Sequence, residues 1–297
     1  LQLSRIEPVK NYRQEIIGDN EDDLSNRHYG NPDIMGGNPR HGTHVSGIIA
    51  AQPDSINHVE GICSNARIMT IRCVPEGDEH DKDIALGIVY AVNNGAKVIN
   101  MSFGKELSPH KEWIDEAICY AAQHDVLIVH SSGNDGKNID LEPDYPSPIT
   151  LNNLLAENVI TVGSSGDSSL NGGMVADFTN YGKSYVDVLA PGVKIYSTIP
   201  GNQYCYEQGT SMSAPIVSGI AALLRSYYPK LSAREIKYII EQSVDKSMAD
   251  QKFRKPGGDK KEYMKMKDIC KTGGIVNAYN AVKMADVMNN QISNTRR

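Results

Sequence analysis

Three short segments of the sequence combine side chains suited to nucleophilic chemistry with small neighbours that leave room for a substrate backbone. They are residues 41–47, 131–136 and 209–215. A serine attacks a carbonyl carbon when a base within hydrogen-bonding reach takes its proton, and histidine, with an unperturbed pKa of about 6.5, suits this task near neutral pH. Ser211 and His41 are therefore the candidate nucleophile and base.

The third segment is expected to place Ser211 where a helix begins. Pro215 has no N–H group and a fixed φ, so it fits the first turn of the apolar helix predicted over residues 215–228. Free backbone N–H groups and the positive end of the helix dipole gather at such a start, where they favour an oxyanion beside the serine. A serine there is also a common N-cap, and a lone histidine is often structural. Each motif taken alone leaves both interpretations open.

The elements that position these segments follow an alternating pattern. From about residue 65 onward, short apolar segments alternate with segments of helical period, which is typical of parallel βαβ units. The predicted strands are residues 67–74, 97–102, 126–131, 159–163 and 186–190. The predicted helices are residues 83–93, 111–123, 215–228 and 232–243. The expected fold class is therefore α/β with a mainly parallel central sheet, at whose strand ends ligand sites form.

Composition excludes several other classes of protein. Apolar residues make up 40% and charged residues 22% of the 297 residues, as in globular domains, and no apolar run is long enough to cross a membrane. A net charge of −6 without a basic stripe indicates no nucleic-acid partner. The five cysteines form no C-x-x-C pair that would suggest zinc or redox chemistry. They are Cys63, Cys73, Cys119, Cys205 and Cys270.

The chain is expected to contain one folded domain with less regular ends. Residues 1–40 are interpreted as an irregular N-terminal segment and processing region, because residues 18–40 hold few apolar side chains. Residues 41–290 form the domain, and residues 291–297 form a tail. Residues 245–272 carry eight lysines among five acids and are interpreted as a solvated surface insertion, with an anionic docking loop as the alternative.

Taken together, the three segments resemble those of the subtilisin-like serine proteases, the subtilase family. Its H-G-T-H-V-x-G motif matches residues 41–47, its x-x-G-N-x-G segment matches residues 131–136, and its G-T-S-M-x-x-P motif matches residues 209–215. Residues 98–104 resemble the edge that binds the substrate main chain. The resemblance spans residues 41–285 and implies a three-layer subtilisin-like fold with helices on both faces of the sheet.

The resemblance also implies residue roles and a reaction. His41 would be the catalytic base, Ser211 the nucleophile and Asn134 a side-chain donor to the oxyanion hole, while His44 would be structural. The implied activity is that of a serine endopeptidase acting on peptide or protein substrates through an acyl-enzyme, without a cofactor. The implied substrate-binding residues are Ser102, Phe103, Gly104, Ser131, Ser132 and Gly133.

One part of the family pattern is missing. The triad aspartate follows a buried strand in a D-[ST]-G-[VI] segment ahead of the histidine, and no such segment precedes His41. The acids present there are Asp19, Glu21, Asp22, Asp23 and Asp33. We therefore expect a cleaved N-terminal fragment of the same precursor to donate both strand and aspartate. The alternative is a catalytically degenerate family member that binds a peptide or a partner.

Three further expectations concern the surroundings of the enzyme. The chain begins at Leu1 without a signal segment, so a removed leader or a longer precursor is expected, and with it export to a periplasm, cell surface or medium. Structural calcium occurs in the family, but residues 19–23 are only a weak candidate site and no metal is predicted. Asp144 either favours substrates with a basic residue before the scissile bond or is a surface acid.

Overall fold

The computed structural model describes residues 12–53, 59–74, 79–150, 152–167, 169, 173–259 and 261–295. The predictions for residues 1–11 and 296–297 lie outside the described part. The helices are α1 (Tyr12–Ile17), α2 (Arg40–Ala50), α3 (Asp81–Asn93), α4 (Lys111–Gln123), α5 (Thr210–Tyr227), α6 (Ala233–Gln242) and α7 (Ala278–Thr295). The strands are β1 (Val98–Met101), β2 (Leu127–Ser131), β3 (Val159–Asp167), β4 (Gly173–Val175), β5 (Val188–Pro191), β6 (Ile195–Ile199), β7 (Gln203–Glu207), β8 (Lys252–Arg254) and β9 (Tyr263–Lys265).

Four parallel strands form the centre of the molecule, in the order β1, β2, β3 and β5, with β4 antiparallel to β3. Side chains alternate between the two faces of this sheet. Leu127 and Val129 pack against α5, α6 and α7, whereas Ile128 packs against α3 and α4. Helices therefore cover both faces, and the predicted α/β arrangement with a mainly parallel sheet is confirmed.

Residues 245–272 are more than the solvated insertion expected from their charge. They contain the hairpin β8–β9 and a 3₁₀ helix at Met266–Asp268. Met266, Ile269 and Cys270 are fully buried and pack against Val186 and Leu189 beside the central sheet. The lysines obscured this in the sequence, since few apolar positions suffice to anchor a segment whose other side chains face water.

The predicted strand at residues 67–74 has no ladder partner among the described residues. It runs opposite the outer edge of β1, which pairs only with β2. Two adjoining cavities of about 670 and 880 Å³ lie between this segment and β1, and both are lined by Ile68, Ile71 and Ile99. We call this space the strand cleft. A strand forms only against a neighbour that satisfies its N–H and C=O groups, which explains why the strand prediction here was wrong.

Candidate active site

The start of α5 presents Ser211 to a cleft above the sheet. Gly209 precedes the helix with φ of 143°, a conformation that favours glycine, and Ser211 is the second helical residue. Pro215 lies in the sixth position rather than in the first turn as expected. Because proline has no N–H to donate four residues back, the Ser211 carbonyl needs another partner. Ser102 Oγ supplies it at 2.9 Å, and Ser211 Oγ donates in return to the Ser102 carbonyl at 3.2 Å.

Ser102 is itself fixed by a chain of polar side chains. Ser218 Oγ donates to Asn100 Oδ1 at 2.8 Å, and Asn100 Nδ2 donates to Ser102 Oγ at 2.9 Å. The chain ties the end of β1 to the first turns of α5. Sequence reasoning missed Asn100, although an amide within the apolar run of residues 98–101 was a signal, since buried polar groups require partners.

Asn134 lies just beyond β2 and is oriented by the same helix start. Its Oδ1 accepts from Thr210 N at 2.8 Å and from Thr210 Oγ1 at 3.0 Å. A backbone N–H only donates, so the oxygen of the amide must face Thr210 and the NH₂ group is the end left for another acceptor. Asn134 is exposed, which leaves that donor accessible from the cleft.

His41 reaches the same region from α2, of which it is the second residue. The helices α2 and α5 pack together through Val45 and Met212. His41 and Ser102 line one cavity, so the imidazole and the immediate neighbour of Ser211 share a cleft. Among the described residues, none is hydrogen-bonded to the His41 ring.

Electrostatics keeps the His41 imidazole neutral. Surrounding protein atoms desolvate the charged form and lower its pKa from the usual value, although the ring remains solvent-accessible. Glu207, which pairs with Arg40 at 2.7 Å, acts in the opposite direction, and His44 lowers the pKa further. A neutral imidazole is the form that can accept a proton. His44, by contrast, is fully buried and contacts the Cys205 carbonyl at 3.2 Å.

The predicted substrate-binding residues divide into two groups. Gly104 and Gly133 both lie against the Asp144 carboxylate, and Phe103 is half-buried against the helical layer of α3 and α4. Ser131 and Ser132 are buried, and their hydroxyls donate inward to the carbonyls of Met101 at 3.5 Å and Asn180 at 3.0 Å. The hydroxyls of these two serines therefore face the protein, and a contact of these residues with a substrate would be made by their main chain.

The acids ahead of His41 are all engaged away from its ring. Asp19 is fully buried and ion-paired with Arg13 at 2.5 Å and with Lys82. Glu21 pairs with His80, Asp22 with His110 at 3.3 Å, Asp23 accepts from Ser25 at 2.6 Å and Asp33 from the Met35 backbone at 2.9 Å. Asp19 thus fastens the N-terminal segment to α3 and does not complete a triad.

A metal site does not emerge from these acids either. Within residues 19–23, Asp19 is already paired with two cations. Within the described ranges, no group of three or more His, Cys, Asp or Glu side chains is arranged to hold a metal ion. In the same part of the chain, no helix combines the length and apolar character that crossing a bilayer requires.

This geometry can be compared with known proteins. The sequence profile described as "Subtilase family" matches residues 10–261. The chain belongs to the subtilase family. It is 40% identical over 207 residues to the thermophilic serine proteinase of Bacillus sp. (strain AK1), covering 69% of this chain and 47% of that protein. It is 34% identical over 260 residues to the cell wall-associated protease of Bacillus subtilis (strain 168), covering 83% of this chain and 27% of that protein.

Solved structures support the same assignment for this subtilase. The prenylagaramide maturation protease PagA superposes with a TM-score of 0.64 at 29% identity, covering 82% of both chains. The self-cleaved protease domain of PatA superposes with a TM-score of 0.63 at 28% identity, covering 83% of both. The three-layer subtilisin-like fold is therefore confirmed. The chain spans about half or less of the length of the two curated relatives named above.

Proposed function

We propose that this subtilase is a serine endopeptidase that cleaves peptide bonds through an acyl-enzyme. The observation that carries the proposal is how three groups are linked. The Ser211 hydroxyl at a helix start bonds the carbonyl of Ser102, which lines the same cavity as the His41 imidazole, and the oxygen of the Asn134 amide is held by Thr210, the neighbour of Ser211. These are the nucleophile, oxyanion donor and base that acyl transfer requires.

In the proposed reaction, Ser211 Oγ attacks the scissile carbonyl and His41 takes the hydroxyl proton. The Asn134 NH₂ group and the Ser211 backbone N–H donate to the oxyanion as the tetrahedral intermediate forms. His41 then gives its proton to the leaving amine, and water hydrolyses the acyl-enzyme by the same steps. Since Ser211 Oγ donates to the Ser102 carbonyl in the free protein, the hydroxyl must rotate toward His41 when substrate binds.

The carboxylate behind His41 is proposed to come with a strand inserted in the strand cleft. Residues 67–74 and β1 offer two facing backbone edges, no described residue pairs with either edge across the cleft, and the cleft walls are mostly apolar. A strand parallel to β1 would end at the same edge of the sheet as β1, beside Ser102. His41 lines that end of the cleft. A carboxylate directly after such a strand would therefore lie next to the imidazole, where it would hold the tautomer and stabilise the imidazolium.

The proposed donor of the strand is a cleaved N-terminal fragment of the same precursor. Each backbone hydrogen bond that the fragment forms with these two edges would stabilise the complex by about 0.5–1.5 kcal/mol, so the fragment would remain bound after cleavage. Support comes from PatA, whose protease domain is described as self-cleaved. The cell wall-associated relative supports the proposal that this enzyme is exported and acts at the cell surface or outside it.

The test is intact mass spectrometry of the protein purified from its source, together with cleavage of a mixed peptide library and Ser211→Ala as control. We expect a second polypeptide that carries an apolar strand ending in Asp, and library cleavage that the control lacks. If the strand were part of one continuous chain with residues 1–297, the proposed cleavage would be wrong, but the proposed insertion of the strand would stand. A folded 297-residue species with a continuous sheet and no partner would contradict the donated strand, and failure to cleave would favour a binding protein.

A further inference from the structure

Asp144 lies at the candidate cleft rather than on the open surface. Its Oδ2 is 2.8 Å from the point where a Cβ on Gly104 would lie, and 2.7 Å from the corresponding point on Gly133. Gly104 follows the edge that contacts Ser211, and Gly133 precedes Asn134. Asp144 Oδ2 therefore lies between two backbone segments. One contains Gly104 and is linked to the candidate nucleophile, and the other contains Gly133 and leads to the oxyanion donor.

The position of Asp144 is fixed by the backbone. Lys105 and Tyr145 exchange two backbone hydrogen bonds, each of 2.9 Å, which hold the segment of Asp144 beside Gly104. A side chain at Gly104 or Gly133 would collide with the carboxylate. Gly133 also has φ of 98°, which favours glycine. The absence of both side chains lets the Asp144 carboxylate pack directly against the two backbone segments.

In the part of the chain that the structure describes, no cation is paired with the Asp144 carboxylate. Lys105 pairs with Asp81 at 2.6 Å, and Lys137 pairs with Glu106. His130, which contacts the Phe103 carbonyl at 2.8 Å, is fully buried, and burial lowers its pKa to about 4, so it is neutral. Among the described residues, the hydrogen bond that Asp144 accepts is from the adjacent Tyr145 N–H at 3.1 Å.

Burial changes the acidity of Asp144. Desolvation raises the pKa of Asp144 to about 7, and the nearby acids Asp135 and Glu106 act in the same direction. A carboxylate in this state gains more from an incoming cation than an exposed acid does, because the partner removes an electrostatic penalty already present in the free protein.

We propose that Asp144 determines substrate specificity by binding the side chain of a lysine or arginine immediately before the scissile bond. This inference rests on the proposed peptidase function. The substrate residue whose carbonyl meets Ser211 would send its side chain between the two glycine-lined backbone segments, toward the carboxylate. Asp144 is thus a binding residue for substrate and takes no part in proton transfer.

The test uses two peptidyl diphenyl phosphonates that differ only in having Lys or Leu next to the phosphorus and that label the serine nucleophile. The variants are Asp144→Asn and, as control, Glu142→Gln, which removes an equal charge from an exposed position on the same segment. We expect the wild-type protein and the control to react faster with the Lys reagent. Asp144→Asn should lose about 10–100-fold of that preference, the range for a hydrogen bond to a charged group.

The outcomes separate the two proposals. Labelling by the Leu reagent with no preference for Lys would overturn the specificity and leave the peptidase intact. If neither reagent labels Ser211, the peptidase proposal fails, and the pocket is then tested by binding peptides that end in Lys or Leu. Equal affinity for these two peptides, or an unchanged preference in Asp144→Asn, would overturn the role of Asp144.

Discussion

Ser102 and Ser211 are joined by two reciprocal hydrogen bonds, each between the hydroxyl of one residue and the carbonyl of the other, at 2.9 and 3.2 Å. One of these bonds exists because Pro215 cannot donate to the Ser211 carbonyl within α5. The candidate nucleophile is thereby locked to the end of β1. The strand that lines the substrate edge and the helix that carries the serine form one unit.

Replacing Ser102 tests this lock. Ser102→Ala leaves the Ser211 carbonyl without its donor, which should cost about 1 kcal/mol of folding free energy or more, because a buried acceptor loses its partner. Turnover should also fall, since the start of α5 is held less firmly. Thermal unfolding and peptide cleavage measure the two effects. Ser226→Ala, at an exposed position of the same helix, is the control, and equal behaviour of the two variants would contradict the coupling.

Asn134 should act on turnover more than on substrate binding. Asn134→Ala removes one oxyanion donor, and we expect kcat to fall by about 10²–10³ with little change in KM, a magnitude established in subtilisin itself. Asn134→Asp keeps an oxygen for Thr210 but lacks the NH₂ group, so its kcat should fall at least as far. Steady-state kinetics measure kcat and KM of these variants, with Asp135→Ala at an exposed position as the matched control. Wild-type turnover in Asn134→Asp would exclude the donor role.

The acid side of the pH profile should report His41. In this chain without the N-terminal fragment, the His41 pKa measured by NMR should lie below 6.5, because desolvation lowers it. Glu207 opposes this effect, so Glu207→Gln should lower the His41 pKa and move the acid-side midpoint of kcat/KM, measured with a substrate that has Leu before the scissile bond, to lower pH. A midpoint that moves upward in this variant would mean that another group titrates.

Asp144 should make the folded protein less stable as pH rises. Its pKa is about 7 in the folded protein against 3.8 when free, so the folded state binds the extra proton between these values and stability falls as pH increases through them. Asp144→Asn removes this effect. Its Tm should exceed that of the wild type by a few degrees at pH 8, corresponding to about 1 kcal/mol after solvent screening, and match it near pH 4. Calorimetry at the two pH values, with Glu142→Gln alongside, measures the difference.

Docking of a strand in the strand cleft should depend on its apolar walls. Ile68→Asp or Ile71→Asp would put a charge beside the proposed strand, and both side chains line the cleft. We expect the N-terminal fragment to dissociate in size-exclusion chromatography and activity to fall with it. Leu107→Asp is the comparison variant, since Leu107 is 77% exposed and does not line the cleft. Retention of the fragment in both cleft variants would exclude this cleft as its site.

The sequence predicted those elements that local chemistry determines. The helix α4 has the predicted bounds, and α6 begins and ends one residue inside its predicted bounds. Residues 67–74 do not form a strand, although their pattern predicted one. A strand requires neighbouring strands to bond with, and a local sequence pattern does not show whether they are present. The inward hydroxyls of Ser131 and Ser132 were missed for a similar reason: which side of the chain faces the cleft depends on packing across the sheet.

The most direct measurement of the central claim is labelling of the native protein with a fluorophosphonate, followed by peptide mapping of the modified serine. The account predicts rapid labelling confined to Ser211, at least 10³-fold slower in His41→Ala, in line with the loss seen when a triad member is removed. It also predicts slow labelling of this chain when the N-terminal fragment is stripped away. Absence of labelling in the intact complex, or modification of a different serine, would contradict it.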